Sequence, residues 1–262
     1  MSTPRPVILN VRRLINTRAL TMHKRSSLST RRRPRGLAIL YEDRDILVVD
    51  KPAGLLTMGT DTDKTRTAYF VLTDYVRKGY SKSRNRIFIV HRLDRETSGI
   101  LVFAKNVEAK LRLQDQWKET EKKYLAVVHG RFERKSETIT TYLAENKAHF
   151  VYSTPDTTKG KLSRTAYTVL KETKDFALLE VDLLTGRKHQ IRVHLAGIGH
   201  AVVGDEKYGK GDRGHARLAL HARSISFKHP FSGKRVTFES NVPPYFNRLV
   251  GSVNLKDGPT NN

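Results

Sequence analysis

The chain has 262 residues, enough for one large domain or one domain with extensions, and 38% of them are hydrophobic. It contains no cysteine, which excludes disulfides, thiolate metal sites and cysteine nucleophiles, and no apolar run approaches the roughly 18 residues that span a membrane. Lys and Arg number 49 against 26 Asp and Glu, a net charge of +23, which points to a polyanionic partner: nucleic acid or an anionic membrane surface. No basic amphipathic helix with a large apolar face stands out, so nucleic acid is the reading we carry forward.

The basic excess begins at once. Residues 1–41 hold ten Lys or Arg and no acid, including the run Arg31-Arg32-Arg33-Pro34-Arg35. Residues 1–36 read as a disordered arm that contacts phosphates. Two other readings compete: an Arg- and Ser-rich organelle transit peptide, or a false start with Met22 as the true first residue. Beyond residue 41 there remain 39 basic against 26 acidic residues, so the folded part is basic by itself.

Folding is expected from Leu37. Ile46-Leu47-Val48-Val49-Asp50 reads as a strand closed by the turn residues Lys51-Pro52-Ala53-Gly54. A helix is predicted from Thr67 to Tyr80, ending at Gly79. Ile87-Phe88-Ile89-Val90 and Ile100-Leu101-Val102-Phe103-Ala104 read as buried strands on either side of a charged stretch, residues 91–99. Val107 to Thr120 reads as a helix capped by Asn106, with Leu113 and Trp117 as an apolar i, i+4 pair. Lys123 to Val128 is the next strand, and 132–160 is polar and irregular, a hairpin or loop insertion.

Ala166 to Leu170 and Phe176 to Leu184 read as paired strands around Lys174-Asp175. From Lys188 a helix is expected to run to Gly199. Leu218 to Phe227 alternates like a strand, Arg235 to Phe238 continues the sheet, and a short helix runs from Pro243-Pro244 to Val250. Residues 253–262 read as a flexible tail. Many strands and few helices predict an α+β fold with a large mixed or mostly antiparallel sheet, as one domain over 37–252.

Several stretches bear on chemistry. The G-x-G-x-x-G spacing at Gly209, Gly211 and Gly214 leads into the strand pattern from Leu218, not a helix, so a dinucleotide site is disfavoured. His189, His194 and His200 raise the question of metal. Their spacings of five and six do not align imidazoles on one helical face, and polar residues bonded to substrate or backbone are the better reading. No G-x-S-x-G elbow is present. In Thr185-Gly186-Arg187-Lys188-His189-Gln190-Ile191-Arg192-Val193-His194, basic residues crowd a helix start, where backbone amides favour anions. Arg192 lies between Ile191 and Val193, so it is expected to be partly buried with an anionic partner, for which Asp94 is a candidate. Residues 91–99, His-Arg-Leu-Asp-Arg-Glu-Thr-Ser-Gly, are either a solvated loop or a site held between two rigid strands.

Taken together, these stretches resemble the RluA family of RNA pseudouridine synthases. The family's H-R-L-D-x-x-T-S-G signature stands at residues 91–99. Lys123-Tyr124, Thr185-Gly186-Arg187-x-His189-Gln190-Ile191-Arg192-Val193-His194 and Leu220-His221-Ala222 follow in the family's order. Asp50-Lys51-Pro52-Ala53-Gly54 matches its start and His229-Pro230 its end. The likeness covers roughly residues 40–245. It implies the pseudouridine synthase fold, with helices and loops around a catalytic cleft. It also implies isomerisation of uridine to pseudouridine in structured RNA, ribosomal or transfer, with no metal or organic cofactor.

Asp94 is implied as the catalytic carboxylate. Tyr124 would stack on the target base, Arg192 would pair with Asp94, Arg92 would fill the gap left by the flipped nucleotide, and Leu220 would line the pocket. His91 and Thr97 are implied as further substrate contacts, Thr97 with Ser98 and Gly99 also shaping the turn into the sheet. Extruding a base costs a few kcal/mol, and stacking on an aromatic side chain recovers roughly 1–3 kcal/mol. The resemblance carries no membrane and no protein partner, and suggests a cytoplasmic monomer, or an organelle protein if residues 1–36 are a transit peptide. The competing readings are an RNA-binding or assembly protein that has lost catalysis, and a metal-dependent nuclease.

Overall fold

A computed structural model describes residues 7–8, 34, 36–59, 63–80, 82–209, 212 and 214–253. Most of the arm at 1–36 and all but Val253 of the tail therefore lie outside the described residues. In chain order the early strands are β1 (Val7–Ile8), β2 (Ala38–Glu42), β3 (Ile46–Lys51), β4 (Phe88–Ile89) and β5 (Ser98–Ala104). There follow β6 (Glu121–His129), β7 (Ser136–Glu145), β8 (Val151–Thr154), β9 (Lys161–Glu172), β10 (Phe176–Leu183), β11 (Leu220–Lys228) and β12 (Arg235–Glu239). The helices are α1 (Ala68–Arg77), α2 (Val107–Asp115), α3 (Gln190–Gly197) and α4 (Pro244–Val250). The fold is α+β, as expected. The chain forms two compact units: the described residues up to Thr120 with Ser224–Glu239, and Glu121–Arg223 with the described residues from Ser240 onward.

In the first unit β3 lies between β2 and β5, antiparallel to both. Ile46 to Val49 and Ile100 to Ala104 are buried without interruption, as expected of strands covered on both faces. Their register sets Asp50 opposite Ile100 and Lys51 opposite Gly99, so the end of β3 lies beside the start of β5. β4 pairs with the far end of β5, and β12 pairs antiparallel with β11 and parallel with β1. A core of Ile46, Val48, Ile100, Val102, Leu113 and Phe227, with further apolar neighbours, fills this unit.

The Thr67 side chain caps α1 by accepting from the Phe70 amide, and Lys78 in the left-handed region ends it before Gly79. Asn106 caps α2 through Ala109, as predicted. This helix stops at Asp115 rather than Thr120, because the Gln116 side chain bonds both the amide and the carbonyl of Lys228. A tertiary pairing there overrides helical propensity. β5 begins at Ser98, so the segment between the strands is shorter than residues 91–99 suggested.

In the second unit the strands run in the order β6-β10-β9-β7-β8, every described pair antiparallel. Of the two readings of residues 132–160, the hairpin is the one found: β7 and β8 pair antiparallel within them, and β9 starts at Lys161 rather than Ala166. Ser136 to Glu145 has only Ile139, Leu143 and Ala144 buried, so its polar and apolar residues do not alternate clearly enough to announce a strand. The helix expected from Lys188 begins at Gln190. His189, at φ 54°, stands in the left-handed region before it.

Candidate active site

The segment 91–97 is held at nearly every residue around Asp94. His91 Nε2 accepts the Val102 amide at 3.0 Å, and its ring packs on Trp117 at 4.6 Å between centroids. The Thr57 hydroxyl donates to the Leu93 carbonyl at 2.9 Å and accepts the Leu93 amide at 3.2 Å. Leu93 and Thr57 are both buried. Arg95 is tied to Gly54 twice, its carbonyl accepting the Gly54 amide and its Nε donating to the Gly54 carbonyl. The Thr97 amide donates to the Asp94 carbonyl at 3.2 Å, closing a turn, and Thr97 is buried. Asp94 itself is half-buried and Arg92 is exposed. A carboxylate whose two chain neighbours are both pinned is carried on a rigid mount, as a preorganised reactive group requires.

Beneath this segment lies Lys51, with no accessible surface. Its Nζ donates to three backbone carbonyls, Pro52 at 3.0 Å, Leu55 at 2.8 Å and Arg95 at 3.0 Å. An ammonium has three donors, so these acceptors satisfy it fully. Burial pushes the Lys51 ammonium down to about 8, against the opposing pull of Glu96, Asp94 and Asp50.

The other residues singled out by sequence lie in the second unit. Tyr124 stands on β6 opposite Val181 of β10, almost fully buried, and Leu220 opens β11, also buried. Arg192 sits on α3 with its side chain only 11% exposed. The anionic partner that the structure supplies within this unit is Asp205, a residue the sequence reading passed over. Arg192 Nε and Nη2 donate to Asp205 Oδ2 and Oδ1, each at 2.7 Å, a bidentate pair. Asp205 Oδ1 also accepts the amides of Lys207 and Tyr208, both at 3.0 Å. The Arg192 guanidinium lies 5.1 Å from the Tyr208 ring centre, and the Tyr208 hydroxyl meets His189 Nδ1 at 2.8 Å. The preceding Gly204 is at φ +75°, and a Cβ there would come within 2.1 Å of the Arg217 carbonyl, so no other residue fits that turn.

Gln190 does not stand at an exposed helix start. It is buried, its Oε1 accepting from the Thr185 hydroxyl and the Arg187 amide, its Nε2 donating to Arg164 and Thr165. The polar run from Thr185 is therefore partly a folding device. His194 lies buried between the hydroxyls of Thr141 and Thr165, and burial holds its imidazole down to about 4. His200 Nδ1 donates to the His129 carbonyl at 2.9 Å. Of the residues missed by sequence, Asp205 had one available signal, its place directly after Gly204. Thr57 had none, since its partner Leu93 is 36 residues away.

Residues 45–197 match a family model described as RNA pseudouridylate synthase. Over 224 residues the chain is 36% identical to a Mycoplasma genitalium protein named as an uncharacterized RNA pseudouridine synthase, covering 84% of this chain and 71% of that protein. It is also 36% identical over 218 residues to ribosomal large subunit pseudouridine synthase C of Rickettsia bellii, covering 80% and 70%. Among solved structures, human RNA pseudouridylate synthase domain containing 1 is similar at a TM-score of 0.64 and 28% identity, covering 81% of this chain and 86% of that one. Human RNA pseudouridylate synthase domain containing 4 shares the fold at a TM-score of 0.68 and 23% identity, covering 80% and 90%.

Lys51 carries a pH signature. Its folded value lies below the ordinary 10.5, so the penalty on its charge is fully present below about pH 8 and is relieved as the pH rises toward 10.5. Urea denaturation of the wild type and Lys51→Met should show the difference shifting in favour of the wild type by up to about 3 kcal/mol between about pH 7.5 and 10. A difference that stays flat over that range contradicts the buried-charge assignment.

Proposed function

Because the chain belongs to the family of RNA pseudouridylate synthases, we propose that Asp94 is the carboxylate with which it isomerises uridine. The enzyme acts on RNA. In the reaction the N1–C1′ glycosidic bond breaks, the base turns, and a C5–C1′ bond forms. N1 gains a proton and the C5 hydrogen leaves to solvent, so atoms balance with no second substrate. The observation that carries the Asp94 assignment is its mount: a half-buried carboxylate between Leu93 and Arg95, which Thr57, Gly54 and Lys51 hold in place. A nucleophile so fixed saves the ordering cost of each turnover.

The remaining roles follow from the motif positions. Tyr124 stacks on the target base, Leu220 lines its pocket, and Arg192 is a substrate-site cation whose guanidinium Asp205 orients. Arg92, exposed beside Asp94, enters the RNA in place of the flipped nucleotide. His91 and Thr97 serve the substrate indirectly, since the bonds described for them hold the segment.

The substrate is structured RNA, ribosomal or transfer. Relatives named for the large ribosomal subunit favour the former. No described helix is long and apolar enough to cross a membrane. We place the protein in the cytoplasm as a monomer, with one catalytic domain over 37–252 and residues 1–36 as a phosphate-contacting arm.

Pseudouridines mapped in total cellular RNA, with and without the gene, should differ at one or a few uridines. Wild-type protein should restore them and Asp94→Asn should not. Restoration by Asp94→Asn would overturn the assignment. Deleting residues 1–36 should weaken RNA affinity and flatten its salt dependence without changing which uridine is modified. An unchanged salt slope speaks against the arm.

A further inference from the structure

In the second unit, apart from the residues given roles above, two imidazoles and a carboxylate converge. His129 ends β6, while Asp212 and His215 lie in the chain after Tyr208. His129 Nε2 lies 2.7 Å from Asp212 Oδ2, and His215 Nδ1 lies 2.9 Å from Asp212 Oδ1. One donor atom from each residue falls within 4.8 Å of the other two. Phe176 meets the edges of both imidazole rings, at 5.4 and 5.5 Å between centroids, and so holds their planes. The carboxylate is buried while both imidazoles reach solvent, so an ion has a path of entry.

A second group with suitable atoms, Asp43, Asp45 and His229, shows by contrast what a closed arrangement looks like. There Asp43 Oδ1 accepts the amides of Asp45 and Ile46, and Oδ2 accepts the Tyr41 hydroxyl and faces His229 Nε2. Two contacts fall on each oxygen, and those on Oδ1 close the β2–β3 turn. The Asp212 carboxylate accepts, among the described residues, one backbone amide, that of Gly204 at 2.7 Å on Oδ2. The other contacts are the two imidazole nitrogens, whose protons occupy the place a cation would take.

We propose that His129, Asp212 and His215 form a binding site for Zn2+, tying the end of β6 to the chain between Gly204 and Leu218. Two imidazoles and one carboxylate are a common three-ligand set for this ion, with water as the fourth ligand. Ligand atoms around tetrahedral zinc lie about 3.3 Å apart, so the three groups need to shift by roughly 1 Å or less. The Gly204 amide then becomes the outer hydrogen bond that orients the carboxylate. The ion is not a participant in the isomerisation.

The test uses tag-free, chelator-treated full-length protein titrated with Zn2+ against a chromophoric chelator, and with Co2+ read by its visible absorption. One equivalent is expected, with the intense visible bands of a tetrahedral Co2+ centre. Asp212→Asn and His215→Ala should each weaken Zn2+ binding by roughly 100-fold or more, beyond the 10- to 100-fold typical of outer-sphere changes. Circular dichroism checks that each variant is folded, and His129→Gln serves as a third variant should one of them fail. Absence of stoichiometric binding, or binding unchanged in the folded variants, overturns the proposal.

Discussion

A lysine ammonium with no access to water is the constraint on which the first unit depends. Removing such a charge from solvent is costly, and the cost is tolerable only where each of its donors meets an acceptor. At Lys51 the acceptors are backbone carbonyls from Pro52, Leu55 and Arg95, so satisfying one side chain brings three stretches of chain together. The strand register puts Lys51 beside Gly99, and the carbonyl of Arg95 then has to come within reach. Asp94, one residue earlier, is positioned as a consequence. Acids at 50, 94 and 96 favour the charge that burial opposes.

The second unit meets the same problem with a different cation. Arg192 is nearly as buried, but its planar fork suits a carboxylate rather than scattered carbonyls, and Asp205 takes two of its N–H groups side-on. Asp205 in turn is fixed by two backbone amides, and the Tyr208 ring lies against the guanidinium. Lysine can be surrounded from three directions, whereas arginine is aimed. That difference suits their proposed tasks, one holding a loop and the other presenting a charge to a reacting group.

The chemistry was legible where it lay in one continuous stretch. Residues 91–99, between two apolar runs, marked themselves as a charged segment on rigid supports, and the motifs after them carried the family. Strands β3 and β5 were plain because both faces are buried. What stayed hidden depended on distant pairing. Thr57 gives no local sign that it grips Leu93, and Asp205 reads as an ordinary loop acid until α3 is folded against it. His129 and His215 are separated by the whole of β7–β10 and α3, so no spacing rule joins them. The hairpin in 132–160 could be expected but the bounds of β7 could not, because Thr and Ser on both faces blur the alternation, and α2 ended early because Gln116 prefers Lys228 to another helical turn.

The central claim is that this chain moves the uracil glycosidic bond from N1 to C5 using Asp94. Pseudouridine formation must expel the hydrogen at C5, so the direct measurement is tritium release from RNA carrying 5-tritiated uridine, incubated with purified protein. The wild type should release tritium in step with the pseudouridine recovered. Asp94→Asn should release none while still binding the RNA to within a few fold of the wild type. Tritium released by Asp94→Asn at a rate near that of the wild type would contradict the account.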